Sequence, residues 1–539
     1  VAALIGVIVA RNGVLFLVAW EIMALSAYFV LTADHGKPEV RDAGTLYLIT
    51  THIGTLALFA LFSLLKGTAG SYLFPAPASL ATGGGVGAGI FLTALLGFGL
   101  KAGPMPLHVW LPSAHANAPS HISAIMSGVI LKLGIYGMVR TVSFFAQIPL
   151  WWGIVLLVAG MASGIAGVAF ALGQHDLKRL LAYHSIENIG IIAMGLGTAL
   201  VGAAMGVPSL ALLGMAGALL HVLNHATFKA LLFLGAGTVI HAVGTREIDR
   251  MGGIARAMPR TALLFLTGAV AICGLPPLNG FVSEFLIYLG VFREAVHGTG
   301  AAAAVTSLAA PALALVGGLA VACFVKVFGV VFLGLPRSEE AARAHEAGRP
   351  MLAPMAVLGA VCVVVGLAPA AVAPLLDAAV HAWRPELALT APALADLVPL
   401  GWLMAVAAGA LATVAVIALL YARRLAAAPR GASPTWGCGY LAPTPRMQYT
   451  ASSFADMLVR LFGGILRPHG TRPGIRSCAP APAEFHTHVP ETVLEHLYLP
   501  FITWANGRLA PIRRLQHGRL HLYILYTLIT LVTLLLFGM

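Results

Sequence analysis

Charged side chains are scarce in this sequence. Only 10% of its 539 residues are Asp, Glu, Lys or Arg, whereas 59% are hydrophobic and the mean hydropathy is +0.90. Soluble domains usually carry about 25% charged residues. A chain with so little polar surface cannot face water on all sides, so the composition excludes an ordinary soluble protein and indicates that lipid forms part of its surroundings.

Cysteine and cofactor motifs are also scarce. An iron–sulfur cluster or a structural zinc ion needs about four thiolates or a matching set of ligands. The sequence has no CxxC pair, no GxGxxG motif and no Walker A motif. It therefore predicts no catalytic residue, cofactor or metal in this chain, and it disfavours a quinone-reducing enzyme in its own right. The five cysteines are Cys273, Cys323, Cys362, Cys438 and Cys478.

Twelve apolar segments are long enough to cross a bilayer, and they predict an all-α, polytopic membrane protein. Residues 1–10 are typical of the end of an earlier span. Because the chain also begins with Val1 rather than methionine, we expect a subunit that is truncated at its N-terminus. The predicted spans are 14–32, 43–65, 88–110, 120–141, 151–172, 186–205, 209–236, 261–291, 304–334, 352–374, 398–422 and 520–538.

Lysine and arginine are distributed unevenly between the loops. When the 33–42 loop is taken as cytoplasmic, 23 of the 32 basic side chains fall on that face, five on the opposite face and four within spans. The positive-inside rule predicts this asymmetry for a multi-pass protein of the inner (plasma) membrane. The net charge of +12 therefore reflects membrane topology and does not indicate a nucleic-acid partner.

The composition changes after the eleventh span and predicts three regions. Residues 1–422 form a transmembrane domain, 423–519 form a cytoplasmic extension rich in Pro, Arg and His, and 520–539 form a transmembrane anchor. Within the extension, residues 491–516 mix apolar and basic side chains, which is typical of an amphipathic lateral helix on the membrane surface. The alternative is a disordered linker that contains a short helix.

Ionisable residues inside the spans are the main functional signal. A charge at the bilayer centre costs about 2.5–3.5 kcal/mol on insertion scales, so such residues generally serve a function. Burial and neighbouring charges shift the proton affinity of these groups, and the set therefore predicts a pathway for protons. For Lys326 the alternative is a side chain that snorkels to the interface, and for Glu21 a neutral acid that holds helices together. The predicted pathway consists of Glu21, Lys101, Lys132, His221, His225, Lys229, Glu284 and Lys326.

Proline and glycine beside two of these charges predict broken helices. Lys101 precedes one Gly/Pro cluster and Glu284 follows another, so we expect breaks near 101–106 and 275–280. Two interrupted spans in corresponding halves are typical of the inverted repeats of secondary transporters. Unwound backbone at membrane depth needs protein or water around it, so the breaks also predict internal hydration.

The sequence resembles the antiporter-like proton-conducting subunits of respiratory complex I and its relatives. The resemblance rests on GLKAGPMPLHVWLPSAHANAPSHISAIMSGVILKLGIYG and HVLNHATFKALLFLGAGTVIH, and it covers nearly the whole chain. LAYHSIENIG, LPPLNGFVSEF and TWGCGYLAPTPRMQYTASSFA (435–455) are similar to the hydrogenase-4 and formate hydrogenlyase branch of that family. The buried charged positions of the family match Glu21, Lys101, Lys132, Lys229 and Glu284.

This resemblance implies a proton-translocating subunit that performs no redox chemistry itself. It implies further membrane subunits and a hydrophilic redox arm as partners, and this arm is expected to carry iron–sulfur clusters and a [NiFe] or related centre. It also implies a C-terminal lateral helix with a final anchor helix, and several helices before the span that holds Glu21. A sodium/proton antiporter subunit of the same fold is the alternative, although buried Lys and His favour protons over the oxygen-rich sites that hold metal cations.

Overall fold

The structure is a computed structural model, and it describes residues 1–81, 84–427, 444–471, 486–511, 518 and 520–537. Nearly all of these residues are helical. The α-helices are α1 (Ala2–Val9), α2 (Gly13–Leu31), α3 (Pro38–Ala69), α4 (Gly84–Ala102), α5 (Leu111–Asn117), α6 (Ser120–Ile125), α7 (Leu131–Ser143), α8 (Leu150–Leu172), α9 (Leu177–Met205), α10 (Pro208–Val243), α11 (Ile254–Ala257), α12 (Pro259–Ile272), α13 (Asn279–His297), α14 (Gly300–Ser307), α15 (Ala309–Phe332), α16 (Glu339–Ala342), α17 (Arg349–Leu367), α18 (Ala373–Trp383), α19 (Leu387–Thr390), α20 (Leu394–Leu397), α21 (Leu400–Ala427), α22 (Ala451–Leu461), α23 (Gly463–Leu466), α24 (Leu499–Leu509) and α25 (Leu520–Phe537).

Short helices of other types connect these elements. A π-helical turn, Met126–Ile130, joins α6 to α7 without a break, and a second one, Leu494–Tyr498, precedes α24. The 3-10 turns are Ile248–Arg250, Pro369–Ala371 and Pro445–Met447.

The long helices confirm the polytopic, all-α class. Within the described part of the chain, ten helical segments are long and apolar enough to cross a membrane, and α12 and α25 are shorter apolar helices. Each of the twelve predicted spans coincides with one of these segments. The predicted span 261–291 combines two of the observed helices, because α12 and α13 are separated by a turn.

Both predicted helix breaks are present. α4 ends at Ala102, directly after Lys101, and residues 103–110 form turns before α5. α12 ends at Ile272, and α13 begins at Asn279, five residues before Glu284. Gly103 (φ +79°) and Gly274 (φ +62°) adopt the left-handed conformation that favours glycine, so the sequence ends each helix where the chain must turn.

The start of α9 corrects one sequence-based assignment. The predicted span began at residue 186, but α9 begins at Leu177, so Lys178 belongs to its first turn and not to an exposed loop. The Asp176 carboxylate caps the helix by accepting the N–H groups of Lys178 (2.8 Å) and Arg179 (3.0 Å). The assignment was wrong because the polar residues at this end lie inside the protein, where a hydropathy pattern does not register them.

Glycines bring α8 and α9 into close contact. A Cβ atom added at Gly190 would lie 2.5 Å from the backbone nitrogen of Gly164, and one at Gly197 would lie 2.5 Å from that of Leu157. Small residues let membrane helices approach through their backbones. α9 is therefore held tightly in the centre of the helix cluster, and most of its side chains are buried.

The described residues divide into two compact units, Val1–Val489 and Pro490–Met539. In the first unit, β1 (His469–Thr471) pairs antiparallel with β2 (His486–His488), and α22 contacts α8 and α15. The second unit contains the second π-helical turn, α24 and α25. The predicted limits at 422 and 519 and the surface position of the lateral helix stay predictions.

Several sequence features lie outside the described residues. These are Cys438, Cys478, residues 435–443 of the 435–455 motif and residues 512–516 at the end of the lateral segment.

Candidate proton pathway

Lys101 occupies an aromatic pocket at the first break. Its side chain is 2% exposed, and its ammonium group donates a hydrogen bond to the Tyr47 hydroxyl at 2.9 Å. The ammonium also lies 4.9 Å from the Tyr47 ring centroid and 5.8 Å from that of Trp20. Aromatic faces stabilise a desolvated cation, and the hydroxyl offers it an acceptor. The site can therefore hold a charged lysine without a carboxylate in contact.

Glu21 lies on α2, one residue after Trp20. Its side chain is 28% exposed, accepts a hydrogen bond from the Thr55 hydroxyl and lies 4.0 Å from His52 Nε2. Within the described residues no ion pair joins Glu21 to Lys101. Glu21 can therefore influence Lys101 only across a gap.

Lys132 is a buried lysine near the start of α7. It follows the Met126–Ile130 π turn and donates a hydrogen bond to the Ser127 carbonyl. The Ser127 hydroxyl lies 2.8 Å from the Ser185 hydroxyl of α9. A π turn shifts carbonyl groups out of the regular α-helical ladder and is frequent at functional sites. Here the local irregularity gives a buried lysine its acceptor.

His221, His225 and Lys229 share one buried stripe of α10, as their spacing predicts. His221 is fully partnered, with Nδ1 2.9 Å from Ser283 Oγ and Nε2 3.1 Å from Asn188 Oδ1. Among the described residues, neither ring nitrogen of His225 nor the Lys229 ammonium has a hydrogen-bond partner. Buried polar atoms of this kind are normally satisfied by ordered water, so the stripe supports internal hydration.

α9 contributes two functional candidates that the sequence pattern did not identify. His184 Nδ1 hydrogen-bonds the Glu187 carboxylate, and both side chains are buried. Glu187 and Lys229 are close enough for each to act on the other's charge. The available signal was a histidine and a glutamate three residues apart in LAYHSIENIG, but His184 was assigned to a loop and Glu187 was only the second residue of the predicted span.

His115, on α5, is a third buried candidate that was not identified. Its ring stacks on Phe233 with centroids 5.1 Å apart, and neither nitrogen has a partner among the described residues. Lys132 and Lys229 both lie within electrostatic range of it. His115 is therefore a buried titratable group near the lysines of both α7 and α10.

Polar side chains join α10 to the second break. Asn224 Nδ2 donates to the Asn279 carbonyl (2.7 Å) and to Ser283 Oγ (2.9 Å), which ties α10 to the start of α13. Glu284 is buried one turn further on, and a Cβ atom at Gly274 would lie 2.6 Å from its carboxylate. The carboxylate is thus held against the unwound backbone.

Lys326 is buried inside the protein, with 1% of the residue exposed. Its ammonium group donates hydrogen bonds to the Leu172 carbonyl (2.7 Å) and the Gln174 carbonyl (3.1 Å), where α8 ends. Carbonyls at a helix C-terminus have no intrahelical donor, so this lysine satisfies them.

The proton-carrying roles of the eight predicted residues stay predictions.

Broken helices around an interior line of ionisable groups define a class of polytopic membrane proteins that move ions through their core. A family model described as "NADH:quinone oxidoreductase/Mrp antiporter, TM" matches residues 10–309. The chain belongs to this family.

The chain is also similar to individual proteins of this kind. The chain is 37% identical to hydrogenase-4 component B of Escherichia coli K12, over 99% of this chain and 81% of the relative. It is 39% identical to formate hydrogenlyase subunit 3 of the same organism, over 86% of this chain and 74% of the relative. The fold is similar to a chain of the archaeal membrane-bound sulfane sulfur reductase, with a TM-score of 0.70, 23% identity and coverage of 99% and 82%.

These findings confirm the resemblance seen in the sequence. The chain is a multi-pass, proton-translocating subunit of the respiratory type, and its partners include other membrane subunits.

Proposed function

We propose that this chain conducts protons across the plasma membrane along its buried side chains while partner subunits transfer electrons. The observation that supports this most strongly is the interior series formed by Lys101, Lys132, Lys229 and Glu284, which extends from one helix break to the other. A hydrophilic arm with iron–sulfur clusters and a [NiFe] or related centre would transfer the electrons. The names of the hydrogenase-4 and formate hydrogenlyase relatives support that assignment.

The proposed movement depends on repulsion between neighbouring lysines. Lys132 and Lys229 lie within electrostatic range of each other. In a medium of low dielectric constant two such charges interact far more strongly than in water, so a proton that arrives at Lys132 favours release from Lys229. Glu284 would accept the released proton near the second break and pass it toward the opposite face.

Glu21 has a controlling role in this scheme. Because Glu21 is partly exposed and makes no ion pair with Lys101 among the described residues, a small movement of its carboxylate changes its effect on the lysine. Approach of the carboxylate favours the charged lysine, and withdrawal favours release of the proton.

A sodium/proton antiporter subunit remains the second candidate because the family includes Mrp antiporter subunits. The two candidates differ in their need for sodium. The test is proton uptake by vesicles that contain the complete complex, measured with and without sodium while electron transfer is monitored. Our proposal predicts uptake in sodium-free buffer that a protonophore abolishes. Uptake that requires sodium would favour the antiporter.

A further inference from the structure

A large polar cavity lies where several loops of the predicted cytoplasmic face meet. Its volume is about 1070 Å³, and its walls come from the start of α3, the end of α5, the α8–α9 turn, residues 246–250, and the C-terminal segments around 450–452 and 487–489. Its lining carboxylates are Glu39, Asp42, Asp176, Glu247 and Asp249. All of these elements lie on the side that the positive-inside rule assigns to the cytoplasm.

His175 is the central titratable group of this cavity. Its Nδ1 lies 3.2 Å from the Asp249 carboxylate, and its Nε2 lies 2.9 Å from the Thr487 hydroxyl. Asp249 also accepts the Ala451 N–H at 2.7 Å. The imidazole and carboxylate therefore form a fixed pair whose position is set by three separate segments of the chain. Arg179, Arg246 and Arg250 line the same cavity.

Lys326 lies directly behind this pair. The Gln174 carbonyl, which accepts from Lys326, belongs to the residue before His175, and both residues line the cavity. Asp249 is within electrostatic range of the Lys326 ammonium. A neutral lysine can donate two N–H bonds to its two carbonyls and keep its lone pair for an incoming proton, and the charged form gains a third N–H to pass on.

A line of buried groups leads from Lys326 to the centre of the protein. Lys326 and Lys229 both lie within electrostatic range of His184, which hydrogen-bonds Glu187. His184 Nε2, Glu187 Oε1 and the Lys229 ammonium have no hydrogen-bond partner among the described residues. Ordered water normally bridges buried polar atoms that lack a protein hydrogen bond, so water can connect these groups.

We propose that this cavity is a second proton-uptake mouth, which feeds Lys229 through Lys326 and the His184–Glu187 pair and bypasses Lys101 and Lys132. Each step transfers one proton from a nitrogen or oxygen donor to the next acceptor, through water where the groups are not in contact. The inference rests on the proposed function, because it assigns a second entrance to the same pathway.

The test compares single and double variants in vesicles with the complete complex, scored as protons taken up per electron transferred. Lys326→Arg keeps donors for the two carbonyls but cannot release a proton at accessible pH. Two parallel entrances predict a partial loss for Lys326→Arg, a partial loss for Lys101→Arg, and a complete loss for the double variant. Lys66→Met, an exposed lysine on the opposite predicted face, is the control and should retain the wild-type ratio.

Two outcomes would overturn the second mouth. A wild-type ratio for Lys326→Arg would show that Lys326 only caps α8, and complete loss from either single variant would show one entrance in series.

Asp249→Asn should cause a partial loss that does not deepen when combined with Lys326→Arg. If Lys229→Ala abolished uptake while Lys326→Arg pumped normally, the second mouth alone would fall. If Lys229→Ala also pumped normally, the proposed function would fall with it.

Discussion

At the scale of single residues, the pathway depends on how each buried charge is compensated. Lys101 has an aromatic hydroxyl, Lys132 has a backbone carbonyl and Lys326 has two carbonyls, whereas the Lys229 ammonium has no hydrogen-bond partner among the described residues. A lysine whose charge depends on its neighbours is the one whose protonation changes most easily. The change in protonation of Lys229 is therefore the central step of the proposed mechanism.

Glu21→Gln tests the controlling carboxylate. The amide oxygen can still accept from Thr55, so the packing of α2 against α3 should persist while the negative charge is removed. We expect a lower ratio of protons to electrons with an unchanged amount of assembled complex. Vesicle uptake and native gel electrophoresis measure the two quantities. An unchanged ratio would remove Glu21 from the pathway.

The sequence identified the eight candidates because each interrupts an apolar run, where an ionisable residue is costly. It did not identify His184, Glu187 or His115, because they follow or precede loops and have polar neighbours in the sequence. Only the tertiary structure shows that the ends of α5 and α9 are buried. The absence of a direct Glu21–Lys101 contact was likewise not predictable, because residue spacing does not give the distance between two helices.

At the scale of elements, glycine controls both the breaks and the packing. The Gly/Pro clusters predicted the positions of the two breaks, since these residues end helices through local geometry. The contacts of α8 with α9 were not predicted, because a glycine in an apolar run gives no information about which helix it will face.

Gly190→Ala tests the close contact of α8 and α9. The added methyl group would lie 2.5 Å from a backbone nitrogen, which cannot move without shifting the helix. Overpacking of this kind costs about 1–3 kcal/mol, so we expect a lower thermal unfolding temperature of the purified complex. Gly317→Ala is the matched control, because nothing lies within 4 Å of its added Cβ atom. Equal unfolding temperatures for the two variants would contradict this packing.

Gly274→Ala tests the second break. At φ +62° an L-residue is strained by about 1–2 kcal/mol, and the new methyl group would meet the Glu284 carboxylate at 2.6 Å. We expect the carboxylate to be displaced and the proton-to-electron ratio to fall. If uptake were unchanged, the position of Glu284 against the break would not matter for transport.

At the scale of the whole chain, a C-terminal segment is bound back onto the loops between the spans. Burial acts to raise the pKa of the Asp249 carboxyl, but the hydrogen bonds from His175 and Ala451 outweigh burial and hold the pKa below its ordinary value. A depressed pKa stabilises the folded state at neutral pH, and this stabilisation is lost only as the pH falls through the folded-state pKa, in the acid range. The attachment should therefore persist throughout the neutral range.

Asp249→Ala should release this attachment. The Ala451 N–H would lose its acceptor, so we expect faster hydrogen exchange in the first turn of α22 at neutral pH. Glu339→Gln is the control, because that side chain is exposed and its ion pair with Arg343 lies on the surface. Unchanged exchange in the Asp249 variant would mean that other contacts hold the segment.

The most direct test of the account is the ratio of protons taken up to electrons transferred in vesicles that contain the complete complex with Lys229→Ala or Lys229→Arg. Alanine removes the proton-carrying group, and arginine keeps a charge but does not release its proton at accessible pH. We predict that both variants assemble and that neither takes up protons. A wild-type ratio in either variant would contradict the central claim that protons cross this chain through its buried lysines.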